Sequence, residues 1–229
     1  MSPPTLTERL WSEQRAILEF GAFGVAWPWF SLLPRGDGGP VLVLPGFAGS
    51  DRSTLALRSV LRNLGHDAQG WGLGRNDGPH PDLLRGMVER LEELERSSGR
   101  TVSIVGWSLG GVYARGLARH SPHRVRQVIS MGSPFRRTEA AQGATTPPVP
   151  VTAIFSKTDA IVPWRSAVED AGPRRESIEV RGSHLGLGHN PAVIVAVADR
   201  LAQPEDGWRP FTPAPWVRHL FPRPEAAVA

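Results

Sequence analysis

The sequence predicts an α/β fold: a mostly parallel central sheet with helices on both faces. Three observations carry that expectation. Short, continuous apolar runs alternate along the chain with longer stretches whose apolar residues recur at helical spacing. The short runs carry apolar residues without a polar alternation, as strands covered on both faces require. The 229 residues are 40% hydrophobic and show neither an internal repeat nor a linker-like tract, so a single domain with one sizeable core is expected.

The elements follow in order. Residues 16–33 are rich in Phe, Trp, Leu and Ile, but Glu19, Pro28 and several glycines interrupt them, so they read as non-spanning. Two readings stand there: a helix and turn packed on the sheet, or a hydrophobic flap that touches lipid or substrate. Val41-Leu42-Val43-Leu44 is the first buried strand. Residues 53–64 carry a helical stripe of Leu55, Leu57, Val60, Leu61 and Leu64, ended by Gly65, and 66–71 is the next strand. Residues 81–98 form a second amphipathic helix that stops at Gly99. Strand 102–105 runs into helix 109–120, which Ser121-Pro122 closes. Strands at 125–131, 151–155 and 177–180 and a helix at 192–201 complete the regular part. Residues 1–36 form an N-terminal extension, and the Pro-rich 204–229 a tail that wraps the surface and frays at its end.

Composition removes several function classes. The formal charge is +4, and all the Lys and Arg residues but Lys157 are Arg, interleaved with acids as in Glu89-Arg90-Leu91-Glu92. A phosphate backbone needs basic residues gathered on one face, so nucleic acid is not an expected partner. The absence of Cys excludes disulfides, thiolate metal sites and cysteine nucleophiles. No HExxH, Walker-type loop or strand-linked GxGxxG is present, and neither a metal nor an organic cofactor is expected. The first residues lack the pattern of a secretory leader, which makes the cytoplasm the expected location, with a membrane-peripheral position as the alternative.

The chemistry gathers at Gly106-Trp107-Ser108-Leu109-Gly110. A GxSxG spacing is weakly specific alone, but here a buried strand precedes it and a helix follows it. In that context small residues let the chain turn sharply and leave Ser108 exposed at the apex. A serine hydroxyl needs a histidine to take its proton and a carboxylate to orient that ring. Asp159, in the loop after strand 151–155, is the leading acid; Asp170 and Asp199 fall on expected helices. For the base, His184 directly follows strand 177–180, with His189 as its competitor five residues on. The backbone amides of Leu109 and Phe47, the latter in the Gly-rich loop 44–50, are the expected oxyanion donors.

The runs LPGFAGSD, GWSLGG, GSPF, SKTDAIVPW and GSHLGLGHNP, in this order, make residues 41–201 resemble a bacterial α/β-hydrolase of the lipase and esterase type. The resemblance implies the α/β-hydrolase fold and a triad of Ser108, Asp159 and His184. It implies cleavage of a carboxylic ester with an apolar acyl group through an acyl-enzyme; an acyltransferase, a thioesterase or a non-catalytic binder of the same fold are the alternatives. Two departures stand out. Pro45-Gly46 replaces the His-Gly pair that often precedes the oxyanion donor, and 133–150 leaves room only for a loop where capped relatives insert a helical subdomain. Little or no cap implies an open site, with Phe47, Trp107, Phe135, Trp164 and Leu185 as rim candidates and the core as the alternative place for Trp107.

Overall fold

The structure, a computed structural model, describes residues 13–142 and 144–222. Its centre is a six-stranded sheet of β1 (Pro40–Leu44), β2 (Asp67–Gly70), β3 (Val102–Trp107), β4 (Val125–Met131), β5 (Val151–Ser156) and β6 (Arg175–Val180). The spatial order is β2-β1-β3-β4-β5-β6, and every pairing is parallel. Strand succession therefore reverses between β1 and β3, which opens a crevice at their carboxyl ends.

The apolar runs behave as two-faced strands. Val41 and Val43 of β1 join one core cluster, while Leu42 and Leu44 join the other. The first cluster is roofed by α2 (Leu55–Asn63) and α6 (Pro191–Ala202), with Phe23 and Phe30 of the N-terminal segment. The second is roofed by α3 (Leu83–Ser98) and α4 (Leu109–His120), through Leu83, Met87, Leu91 and Leu117. Helices thus cover both faces, as the alternation of elements predicts.

Three regions differ from the sequence reading or refine it. Between β4 and β5, where a plain loop is expected, the chain forms α5 (Phe135–Gln142). It packs beside α4, with Phe135 against Val112 and Ala153, and carries no subdomain over the sheet. The N-terminal segment forms α1 (Arg15–Ala26) and a 3-10 turn (Trp27–Leu32), with only Phe23, Phe30 and Leu33 of its apolar residues buried. The tail, as far as residue 222, is packed in part: Phe211 and Phe221 lie 5.0 Å apart, and Val217 and Phe221 enter the first core cluster. The end of the predicted tail lies outside the described residues, as does the start of the chain on which the leader reading rests. No helix among the described residues is long and apolar enough to cross a membrane.

Candidate active site

Ser108 occupies the turn between β3 and α4 with φ 54° and ψ −120°, a left-handed backbone that a side-chain-bearing residue adopts only under constraint. Two contacts impose it. The Ser108 amide donates to the Met131 carbonyl at the end of β4, 2.8 Å away, and Gly110 runs so close to the Leu44 and Pro45 carbonyls that a Cβ there would collide with β1. Ser108 is left partly exposed at this turn.

His184 and Asp159 meet it there. His184 Nε2 lies 2.9 Å from Ser108 Oγ, and His184 Nδ1 lies 2.6 Å from Asp159 Oδ2. An ionised carboxylate can only accept, so Nδ1 carries the proton and Nε2 is free to accept from the serine hydroxyl. The second oxygen, Asp159 Oδ1, accepts from the Ile161 and Val162 amides at 2.9 and 2.7 Å, which fixes the carboxylate plane. Both side chains are almost wholly buried, at 5% and 2% exposure, so their contact is sheltered from water. Gly132 leaves the space for them: a Cβ there would stand 3.2 Å from Asp159 Oδ2 and 3.3 Å from His184 Nδ1. Such a relay can draw the proton from a serine hydroxyl onto imidazole as the oxygen attacks.

The competing residues are elsewhere. His189 Nε2 donates to the Ala16 carbonyl at 3.1 Å, and its ring packs edge-on to Phe20. Asp170 pairs with Arg136 at the surface, and Asp199 pairs with Arg200.

The loop after β1 lies directly over the serine, with Gly46 so placed that a Cβ would sit 3.2 Å from Ser108 Cβ. The amides of Phe47 and Leu109 donate to no protein acceptor among the described residues. One buried residue, Asn76, holds this loop through its backbone N–H and C=O and its side chain. Its amide donates to the Gly49 carbonyl and its carbonyl accepts from the Ala48 amide, both at 2.7 Å, while Nδ2 donates to the Pro45 carbonyl at 2.9 Å. Asn76 escaped the sequence reading, although it stands in an Asn-Asp-Gly turn after β2 where a local hydrogen-bonding role is ordinary.

Of the expected rim, Phe47 and Leu185 are exposed beside the serine loop and the histidine loop, and Ile161 joins them. The other three sit differently. Phe135 is 1% exposed beneath the Arg115 guanidinium, which lies 3.9 Å above its ring. Trp164 stacks on Phe155 under Arg165. Trp107 packs against the core and donates from Nε1 to the His184 carbonyl at 3.2 Å, so it buttresses the histidine loop from behind. An apolar residue reads alike in sequence whether it lines a core or a rim: Phe135 is buried rather than on a rim, and Trp107 takes the core position, its alternative place. Among the described residues no group of three or more His, Asp or Glu could hold a metal ion.

No protein-family model matches the chain, and the comparison with curated proteins returns no match. Solved structures do resemble it. Lipase B of Aspergillus fumigatus superposes with a TM-score of 0.57 at 19% identity, covering 75% of this chain, which spans about half of that lipase (55%). A lipase of Bacillus licheniformis gives a TM-score of 0.55 at 14% identity, covering 73% of this chain and 94% of its own. The mouse α/β-hydrolase domain-containing protein 10 gives 0.53 at 16% identity, with coverage of 74% and 93%. At such identities the likeness is one of fold, and the chain has the α/β-hydrolase fold; its structural neighbours include esterases and lipases.

Proposed function

We propose that this protein is a serine hydrolase that cleaves carboxylic esters through an acyl-enzyme on Ser108. The observation that carries the reading is the continuous hydrogen-bonded path from Ser108 Oγ through His184 to Asp159, at 2.9 and 2.6 Å, with the serine on a strained strand-to-helix turn. Ser108 Oγ bonds to the ester carbonyl carbon while its proton passes to His184 Nε2. The carbonyl oxygen becomes an oxyanion between the Phe47 and Leu109 amides, whose lack of a protein acceptor suits them to that task. The carbon–oxygen bond to the alcohol then breaks, and the leaving alkoxide takes the proton from His184. Water, deprotonated by the same ring, releases the acid and restores the serine. Asp159 stays ionised throughout and stabilises the imidazolium. Exposed Phe47, Leu185 and Ile161 favour an ester whose acyl part is apolar.

Replacing Ser108 with Ala should leave the melting temperature close to that of the wild type. Turnover of p-nitrophenyl butyrate should fall by at least about 10⁴-fold, as expected when the nucleophile of such a unit is lost. Labelling by a fluorophosphonate should disappear with it. Turnover that persists in Ser108→Ala would sink the reading.

A second reading concerns where the ester is met. The exposed side chains of Ile17, Leu18, Val25, Trp29 and Leu32 lie on the N-terminal segment that is bonded to the Asp159 and His184 loops, which favours contact of this segment with a lipid surface.

A further inference from the structure

The N-terminal segment reaches the proposed triad by its carboxylates. Glu13 is 2% exposed, and its two oxygens are divided between two loops. Oε1 accepts from the Ala160 amide at 3.2 Å, one residue after Asp159, and Oε2 accepts from the Leu185 amide at 2.8 Å, one residue after His184. Glu19 takes the other side of the histidine: its Oε1 accepts from the Ser183 amide at 2.8 Å and its Oε2 from the Ser183 hydroxyl at 3.0 Å. Gly186 provides the socket, since a Cβ at that position would collide with Glu19 Oε2. The Arg15 guanidinium donates to the Thr158 carbonyl, just before the acid, and His189 donates to the Ala16 carbonyl.

These bonds are specific in chemistry as well as in place. The loops carrying the acid and the base leave different strands, β5 and β6, and each needs its backbone N–H groups satisfied where the chain is buried. A carboxylate accepts from two such groups at once, with charge-assisted strength, and so sets the distance between them. A neutral amide of the same shape offers one acceptor oxygen and turns its NH2 towards the second N–H. Retention of a charged carboxyl at a nearly inaccessible position is costly unless bonding of this kind supports it.

We infer that Glu13 and Glu19 are positioning residues: together they clamp the Asp159 and His184 loops from outside the sheet and hold the acid–base pair in register with Ser108. The inference rests on the esterase reading for its kinetic consequences, while the geometry of the His184–Asp159 pair can be read without turnover. Neither carboxylate touches the serine or a substrate.

The test compares the whole chain with Glu13→Gln, Glu19→Ala, Gly186→Ala and the Glu19→Ala/Gly186→Ala pair. The readouts are kcat and KM on p-nitrophenyl butyrate, and the downfield proton resonance of His184 Nδ1. A displacement of the relay by about 1 Å costs about 10²-fold, so kcat should fall by about 10- to 100-fold with KM within about twofold of wild type. The Nδ1 resonance should broaden or shift in each single variant. Gly186→Ala should add little to Glu19→Ala, because each removes the Glu19 carboxylate from the same socket. Glu13→Gln preserves volume, so it carries the test should the alanine variants fold poorly. Wild-type kcat and an unchanged resonance in Glu13→Gln and Gly186→Ala would overturn the inference while leaving the esterase reading intact. A wild-type chain without turnover or fluorophosphonate labelling would overturn the esterase reading; the resonance would then decide the clamp alone, and its absence from the wild type would end that too.

Discussion

A single buried ring links folding to pH at the amino ends of β1 and β2. His66 follows α2, is buried, and has an Nε2 without a hydrogen-bond partner. Burial pulls its pKa below the ordinary 6.5, against the opposing attraction of Asp37 and with the repulsion of Arg126. The folded chain therefore keeps the ring neutral at a pH where the unfolded chain has already taken up a proton. The stability this contributes is full above about pH 6.5 and is lost as pH falls from there through the lower folded value. Melting temperatures measured at about pH 8 and about pH 5.5 should show a drop in the wild type that is smaller in His66→Phe, where no proton can bind at that position. An equal drop in both would assign the acid sensitivity to other groups. Ser108, like Ala48 and Arg174, carries a positive φ, of the kind that costs about 1–3 kcal/mol; at Ser108 it persists because β4 and the close passage of Gly110 by β1 leave no alternative.

Elements were legible in the sequence in proportion to how far apolar burial alone shapes them, and α5 is the instructive exception. Its sequence FRRTEAAQ has little apolar pattern, and beyond the buried Phe135 it is held by charge. Arg115 of α4, 1% exposed, bonds Glu139 of α5 at 2.7 Å and Glu169 at 2.6 Å, while Arg119 also reaches Glu139 at 2.5 Å. Replacing Arg115 with Met would leave Glu169 buried without its cation and weaken the hold on Glu139. Unfolding free energy from urea titration should then fall by about 3–5 kcal/mol. Combining it with Glu139→Leu and Glu169→Met should recover most of the loss, and failure to recover would mean that the cluster acts through something other than unpaired charge. Partnerships of this sort join residues far apart in the chain and leave no periodicity behind. Strands β1, β3, β4 and β5, by contrast, were readable because both of their faces are covered, and β2, with the sequence DAQG, only because a strand must lie between its neighbouring helices. The same division runs through the site. Ser108, Asp159 and His184 each stand in a loop directly after a strand, where sequence order can locate them. Glu13, Glu19 and Asn76 act by accepting from or donating to backbone groups of distant loops; the Asn-Asp-Gly turn marks Asn76 for local bonding, but nothing in the neighbours of any of the three announces the distant partner.

At the scale of the molecule, the reversal of strand order between β1 and β3 places Ser108, the loop after β1 and the loops of Asp159 and His184 at one end of the sheet, and the N-terminal segment is bonded to that same end. From Phe20 to Pro34 the chain carries no charged residue, yet much of it faces outward, with Val25 76%, Trp29 61% and Leu32 62% exposed; Ile17 and Leu18, just before it, are 76% and 75% exposed. So many exposed apolar side chains on one short segment favour the lipid contact proposed above. Tryptophan and aliphatic residues on one segment suit the boundary between lipid headgroups and acyl chains, where an ester with an apolar acyl group would be met. Full burial of such a side chain contributes about 1.5–3 kcal/mol. Replacing Ile17, Leu18 and Trp29 together with Ser should therefore weaken sedimentation with phosphatidylcholine vesicles by at least about 100-fold. Hydrolysis of a short, water-soluble p-nitrophenyl ester should stay within about twofold, because none of the three bonds the Asp159 or His184 loops. Equal vesicle binding by the triple variant and the wild type would remove the lipid contact. A loss of self-association on ultracentrifugation, with vesicle binding absent from both, would assign the same face to a second copy of the chain.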